Sequence, residues 1–515
     1  MENLEKIEQL RSIKNVMESG GDPRKVEAQH AKGKFTARER IEQLVDEGSF
    51  IEFDSFMTCR ATEFNMESKR FYGDGVVTGT ALIEGRQVWI SSQDFTVLGG
   101  SLGEQHAERI ARVQQKAIET KSPFIQINDS GGARIQEGVY SLDGYGKIFR
   151  NNILASGVIP QFSLIMGPCA GGAAYSPALT DFIYMVDSIS QMYITGPDVI
   201  KAVTGESVTH QELGGAKAHG KKSGNIHFTH ENEQSAFAHL RKLISYLPLN
   251  NMEIPPLADP ADPPESTQII EKIMGEKSTK AYDVHLVIQE LFDKDSFLEV
   301  QKDFAQNIVV GFARLAGRTV GIVANQPRFL SGTLDIDSSD KGARFIRFCD
   351  AFNIPVTTFV DVPGYMPGTK QEFGGIIRHG AKMLYAIGEA TVPKIAVVLR
   401  KAFGGAYIAM ASRSLGYDRV LALPTSEIAV MGAEGAANII FRKDIAQSSD
   451  PNQTRLEKIE ELKRKSTNPY ISASSGMVDT ILDPTEIRSS LIRSVESLSN
   501  KVENRPEKKH GNMPL

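Results

Sequence analysis

Cysteine is scarce in this sequence. The 515 residues include three, Cys59, Cys169 and Cys349, and no CxxC pair. That excludes a zinc ribbon and a CxxC redox motif, and so few thiols suit a reducing compartment. A basic excess is also missing: 58 Lys and Arg against 63 Asp and Glu leave a formal charge of −5. A protein organised around nucleic-acid phosphates needs the opposite sign. No uninterrupted apolar run reaches the ~18 residues of a membrane span. The opening MENLEKIEQLRSIKNVMESGG has no apolar signal core and too many acids for a transit peptide. The expectation is a cytoplasmic protein with no nucleic-acid partner, no membrane span and no bound metal.

What is present is globular and repeated. Hydrophobic residues make up 41% and charged residues 23%, and there are 45 glycines, which excludes general disorder and implies many tight backbone sites. At roughly one domain per 150 residues the length allows three or four domains. Val76–Ile90 reads VVTGTALIEGRQVWI and Ile308–Ile322 reads IVVGFARLAGRTVGI. Gly79, Ala81, Gly85, Arg86, Val88 and Ile90 recur 232 positions later as Gly311, Ala313, Gly317, Arg318, Val320 and Ile322. The offset of 232 also links Asp129 to Asp361, and becomes 233 for Gly171 and Gly172 against Gly404 and Gly405. Upstream, IEQLVDEGSFIE and IQELFDKDSFLE are related at 247. Collinear matches with drifting offsets predict a duplicated domain with small insertions.

The six prolines of Leu247–Ser266 cannot sit inside regular helices or central strands. They predict a linker over 251–270 between an N-terminal domain, 1–250, and a C-terminal domain, 271–515. Within each half strands alternate with helices: VWISS, PFIQIND and PQFSLIMG separated by helical periodicity over Glu104–Thr120 and Val139–Ala155, then IPVTTFVD, a helix near Ile376–Ile387, and VPKIAVVLR. AGGAAYSPAL and FGGAYIAMASRSLG each open a helix. This is an α/β pattern with crossover connections. Gln447–Pro469 reads as an exposed helix or loop, and the polar tail Asn504–Leu515 as mobile.

Two glycine-rich spots follow strands in each half. They are Ser130-Gly131-Gly132-Ala133-Arg134 and Ala170-Gly171-Gly172-Ala173, then Val362-Pro363-Gly364-Tyr365 and Phe403-Gly404-Gly405-Ala406. Glycine admits close backbone approach, and a pair opening a helix aims unpaired N–H groups at whatever lies before it. Two such donors can converge on one developing oxyanion. Competing motifs are weak. Gly99–Gly103 matches GxSxG, but a loop separates Ser101 from the strand ending near Asp94, against the tight elbow a serine nucleophile needs. Gly215–Lys222 has Lys222 where a P-loop needs Ser or Thr, and is read as a solvated loop. His219, His227 and His230 lack metal-ligand spacing, and Glu137 is read as a structural carboxylate.

SGGARIQEGVYSLDGYGKIF, GPCAGGAAYSPALTDF, LDIDSSDKGARFIRFCDAFNIP, FVDVPGYMPG and LRKAFGGAYIAM resemble the carboxyltransferase β subunits of biotin-dependent acyl-CoA carboxylases, those for propionyl-CoA above all. The methylmalonyl-CoA decarboxylase α subunit and the transcarboxylase large subunit share the pattern, and the likeness runs from Gly33 to Leu515. The zinc ribbon of the separate bacterial acetyl-CoA carboxylase β subunit is missing. The resemblance implies two tandem crotonase-type domains of ββα spiral units, acyl-CoA on the first and carboxybiotin on the second, facing across a dimer within a hexamer. It places the thioester oxyanion at N–H groups around Ala133, Gly171 and Gly172, with Gly131, Gly132, Arg134, Ala170 and Tyr175 binding substrate. It places the biotin ureido oxygen at those around Gly364, Gly405 and Ala406, with Gly404, Tyr407 and Ile408 alongside. Biotin is expected on a separate carrier, since no AMKM-like lysine motif occurs here, so biotin carboxylase and a biotin carboxyl carrier are the implied partners. The reaction direction and acyl chain length stay open, a decarboxylase would sit in a membrane complex, and a crotonase-like hydratase would need Glu137 as its acid or base.

Overall fold

In the computed structural model, residues 2–263, 268–277 and 280–514 are described, and they form two compact units, 1–253 and 254–515. In the first unit the strands are β1 (Ile51–Glu52), β2 (Val76–Ile83), β3 (Arg86–Gln93), β4 (Phe124–Ser130), β5 (Gln161–Ala170), β6 (Phe182–Val186), β7 (Gln191–Tyr193) and β8 (Phe228–His230). They make one sheet of order β1-β2-β3-β4-β5-β6-β8, with β7 beside the end of β5. β1 to β3 are antiparallel and the rest parallel. Helices Glu104–Thr120 and Val139–Ala155 make the crossovers from β3 to β4 and from β4 to β5.

The second unit repeats this strand for strand. Its elements are β9 (Leu298–Val300), β10 (Ile308–Leu315), β11 (Arg318–Asn325), β12 (Val356–Val362), β13 (Lys394–Phe403), β14 (Arg419–Ala422), β15 (Glu427–Ala429) and β16 (Thr480–Ile481). The order is β9-β10-β11-β12-β13-β14-β16, with β15 beside β13. Helices Ile336–Ala351 and Ile376–Glu389 are the crossovers. The two-residue hairpin turns Glu84-Gly85 and Ala316-Gly317 have φ of 51°, 72°, 50° and 78°. A turn with positive φ at both central residues matches the twist of its strands and favours glycine at the second, which is why Gly85 and Gly317 lead the sequence repeat. Each sheet is the centre of its own core, built around Trp89, Phe124 and Ile165 in the first unit and Ile322, Phe359 and Val397 in the second.

A duplicated polar staple ties each hairpin to the last helix of its unit. Asp46 accepts from the N–H groups of Glu84 and Gly85 and pairs with Arg241 at 2.9 Å, while Arg241 also donates to the Leu44 carbonyl. Asp293 accepts from Ala316 and Gly317 and pairs with Arg488 at 2.7 Å, while Arg488 donates to the Leu291 carbonyl. The copies differ in burial: the carboxylate side chain is 29% exposed at Asp46 and 3% at Asp293. Water screens the first pair, whereas a broken buried pair strands a charge.

Several sequence expectations need correction. The proline-rich stretch is not a free linker throughout: the Pro256 carbonyl accepts from Arg314 and the Ala258 N–H donates to Gly317 O. Residues 264–267 of that predicted linker lie outside the described residues. The tail is docked as far as it is described, Leu515 lying outside: Arg505 donates to the carbonyls of Gly388, Glu389 and Ala390, closing the end of helix Ile376–Glu389, and Lys508 pairs with Glu389. A guanidinium there satisfies carbonyls that a helix end leaves orphaned. The P-loop-like stretch is a helical turn, Ala216–Ala218 followed by His219–Ser223. His227 and His230 belong to an aromatic cluster with Phe182, Tyr184, Phe228 and His239, in which His239 hydrogen-bonds the Tyr184 hydroxyl. No helix among the described residues is long and apolar enough to cross a membrane.

Arg488→Ala is expected to cost about 3 kcal/mol by stranding Asp293, and Arg241→Ala at most about 1 kcal/mol. Urea midpoints at constant slope read the difference, and equal losses would remove burial as its cause. Acid should act on the aromatic cluster. Burial pushes His230 down to about 4 and His239 to about 3, against an unfolded value of about 6.5. Below that value the unfolded chain binds more protons, so this stabilisation is lost as pH falls from about 6.5 toward 4. A His230→Phe/His239→Phe variant should lose less Tm than the parent between pH 7 and pH 4.5.

Candidate active site

Both sites form where two parallel strands end side by side. β4 and β5 run in register until a shift between Asn128 and Ser130, after which the backbone turns outward. The amides beyond it are then spoken for one by one. Gly131 N–H donates to Gly99 O at 3.0 Å, Gly132 N–H to Ser130 Oγ at 3.1 Å, and Arg134 N–H to Leu102 O at 2.9 Å. Leu102 N–H returns to Gly132 O. That leaves the Ala133 N–H with no partner among the described residues. β5 ends at Ala170 and runs into the turn Gly171–Ala174, whose first amides have no acceptor within it. Gly171 has φ 61°, and a Cβ on Gly172 would lie 3.0 Å from the Tyr145 ring. These two positions therefore need glycine, one for conformation and one for space.

The second unit repeats the construction. The shift in register falls between Val360 and Val362. Leu334 N–H donates to Gly364 O and Met366 N–H to Leu334 O, so the Tyr365 N–H has no partner among the described residues, nor has that of Gly364, since Val362 stands where Ser130 takes the Gly132 N–H. The offset of 232 maps Ala133 onto Tyr365 and Gly132 onto Gly364; Gly132 and Gly364 share positive φ, 104° and 142°. The sequence reading places this donor around Gly364; the Gly364 carbonyl accepts from Leu334, while the Gly364 N–H has no partner among the described residues. β13 ends at Phe403, and the eight-residue helix Gly404–Ala411 starts with Gly404 at φ 61°. Its first amides, those of Gly404, Gly405 and Ala406, have no acceptor within the helix. Tyr407 is half-buried, and Ile408 is 45% exposed at the position that Tyr175 holds in the first unit.

The side chains around the first loop are committed. All three guanidinium nitrogens of Arg134 are engaged, by Asp74, Glu137 and Ser101. Its side chain is buried and braces the loop, so the substrate-binding part expected of Arg134 does not fall to its guanidinium. Glu137 accepts from Arg134, from Cys59 Sγ and from Glu104 N–H, which leaves it structural. Ser101 Oγ donates to Leu98 O, away from any base. Behind β4, Asp129 pairs with Lys34 at 2.7 Å and with Arg40 at 3.0 Å, and Arg40 also pairs with Glu233. Sequence reading missed these supports because they join residues about 90 and 190 positions apart; Tyr365, by contrast, follows from the repeat offset applied to Ala133. In the second unit the Tyr365 ring supports the loop, and burial pushes its hydroxyl up to about 12.

A cavity of about 270 Å³ adjoins the first loop through Gly99 and is lined also by Lys25, Lys32 and Phe95. Among the described residues no group of three or more His, Cys, Asp or Glu is placed to hold a metal. The arrangement leaves backbone N–H groups without partners among the described residues at two adjoining strand ends in each unit.

A carboxyl transferase domain matches residues 28–513. The chain is 55% identical over 512 residues, 99% of each sequence, to a propionyl-CoA carboxylase carboxyltransferase subunit of Haloferax mediterranei, and equally over the same shares to a methylmalonyl-CoA decarboxylase subunit alpha of Veillonella parvula. Among solved structures, transcarboxylase 12S, a hexamer with methylmalonyl-CoA and methylmalonic acid bound, superposes with a TM-score of 0.96 at 53% identity over 99% of this chain and 98% of that one. The duplicated sheets, the paired strand-end donors and these likenesses agree: the chain belongs to the carboxyl transferase family, as a carboxyltransferase enzyme of two crotonase-like domains.

Proposed function

We propose that this chain moves a carboxyl group between carboxybiotin and the α-carbon of a short acyl-CoA, propionyl-CoA first and acetyl-CoA second. The single observation that carries the reading is the pair of equivalent oxyanion cradles: Ala133 with Gly171-Gly172, and Tyr365 with Gly404-Gly405-Ala406. Two anions arise in such a transfer, one on each reactant, and each needs donors already in place. In the first unit the Ala133 and Gly172 amides hold the thioester oxygen as the α-carbon loses its proton. In the second, the Tyr365, Gly405 and Ala406 amides hold the ureido oxygen. Glycines at the helix start leave room for that ring to lie against the backbone. Biotin supplies the carried CO₂ and a nitrogen able to take the α-proton, so no protein base is required. Glu137, saturated by its partners, argues against a hydratase.

The nucleotide end of the acyl-CoA fits the cavity beside Gly99, where Lys25 and Lys32 meet its phosphates and Phe95 its base. Biotin carboxylase and a biotin carboxyl carrier are the partners, in the cytoplasm. A homohexamer is supported by the exposed apolar faces each unit carries, Ile194, Val199 and Val203 in one and Val430, Ile439 and Ile440 in the other. The methylmalonyl-CoA decarboxylase direction uses the same cradles and stands as the second reading, since the identity to that relative equals the identity to the carboxylase subunit.

Methylmalonyl-CoA is expected to carboxylate free biotin, with malonyl-CoA a weaker donor. Gly405→Val should abolish this transfer while acyl-CoA affinity holds. A methyl at Gly405 meets the Tyr365 ring at an ordinary 3.6 Å, so Gly405→Ala folds and serves as the control. Lys25→Gln/Lys32→Gln should do the reverse, raising KM with kcat preserved. Equal loss of CoA affinity in Gly405→Val would sink the division of labour. Ile408 should set part of the chain-length preference, since one methylene in an apolar wall is worth about 1–3 kcal/mol. Ile408→Asp is expected to change kcat/KM for acetyl-CoA and propionyl-CoA by different factors; a common factor would remove Ile408 from selection.

A further inference from the structure

The duplication supplies an internal control that exposes a second site. In the first unit the space between β6, β8 and the last helix, Glu233–Tyr246, is filled by the rings of Phe182, Tyr184, Phe228, His230 and His239. Strand register fixes the counterparts. Phe162 pairs with Phe182 as Ile395 pairs with Arg419, and Tyr184 pairs with Phe228 as Leu421 pairs with Thr480. Two residues further along, His230 corresponds to Leu482. The shared staple, Arg241 and Arg488, aligns the last helices and sets His239 against Glu486 and Tyr246 against Arg493. Every ring of the first cluster is thus replaced by a non-aromatic residue. The space in the second unit stands open as a cavity of about 470 Å³.

Its chemistry is specific. The floor is Leu421 and Leu482, both buried, and the walls carry Arg419, Arg493, Thr480 and Ser490. The Arg419 Nε–H is buried without an acceptor. Neither guanidinium forms an ion pair among the described residues. Glu486, also on the wall, is committed to the capping box of Asp483. Arginine left unpaired beside hydroxyls is a recognition group for phosphate. The volume lies within the range of clefts that hold small metabolites, and the leucine floor suits an organic body. Arg419 and Thr480 begin their parallel strands, whereas the catalytic loops follow strand ends, so the cavity opens at the opposite edge of the sheet from the chemistry.

We propose that this cavity binds a compact phosphate monoester, its phosphate on Arg419 and Arg493 and its body on Leu421 and Leu482. Calorimetry on the full-length protein tests it with adenosine 5′-monophosphate, inorganic phosphate and adenosine, in chloride at fixed ionic strength and with saturating propionyl-CoA to occupy the acyl-CoA site. The monophosphate is expected to bind saturably at one site per chain, inorganic phosphate more weakly, and adenosine not at all. Arg419→Gln and Arg493→Gln should each weaken binding on the order of tenfold or more, with carboxyl transfer in the absence of the monophosphate unchanged. Thr480→Phe restores the first unit's ring, keeps both arginines, and should abolish binding without loss of Tm. Absence of saturable binding to either phosphate probe overturns the proposal, as does undiminished binding in all three variants. A change of oligomeric state in Arg493→Gln with no phosphate binding also overturns it, making the arginines part of an interface.

Discussion

Both strand-end sites are built on backbone amides that lose their partners where two parallel strands stop. In the body of each sheet the parallel ladder takes up the strand amides. Past the register shifts of β4 against β5 and β12 against β13, the outgoing loop satisfies part of its amides by laddering against another segment. Leu102 and Leu334 supply that ladder, and each takes the carbonyl before and the amide after one residue. The residue skipped, Ala133 or Tyr365, is left with a donor fixed by bonds on both sides. A donor fixed in this way needs no reorganisation when charge develops in front of it, which is the source of its catalytic worth. The second donors come from helix starts that positive-φ glycines bend into position.

The two units brace this geometry by different means. The first uses charge: Arg134 joins Asp74, Glu137 and Ser101 beneath the loop, and Lys34, Arg40 and Glu233 surround Asp129 behind it. The second relies more on packing and on hydrogen bonds, the Asp361 carboxylate accepting from the Lys401 N–H and Asp340 pairing with His379 next to Gly380. Tyr365 donates to Gly380 O, and Asn325 holds the Asp361 amide as Gln93 holds that of Asp129. Buried charges are costly to isolate, so the first loop should fail sharply when one partner is removed and the second more gradually.

How much of this was legible follows from the range of each interaction. The repeat offset marks Gly85 and Gly317 because a two-residue turn demands them, and marks the glycine pairs because helix starts at φ 61° demand them; such constraints are local and show in any copy. The crossover helices are legible from their apolar spacing. The braces are not, since Arg40 meets Glu233 and Arg134 meets Asp74 only after the chain has folded. The docked tail is illegible for the same reason: Arg505 and Lys508 look solvated until the helix end at Glu389 is brought beneath them.

Duplication also separates what the fold requires from what it tolerates. The hairpin turns, the carboxylate–arginine staples, the strand shifts and the skipped amides are kept in both units, and each is a geometric condition for the sheet or for its strand-end donors. Positions outside those conditions diverge: Tyr175 against Ile408 beside the cradles, and an aromatic plug against an arginine-lined cavity at the far edge. A core position that diverges by losing five rings gives up much buried area, and area removed from water is the dominant stabilising term in folding. An open polar space where the sister unit packs rings forgoes that term, and under the proposal a phosphate monoester on Arg419 and Arg493, which form no ion pair among the described residues, restores part of it.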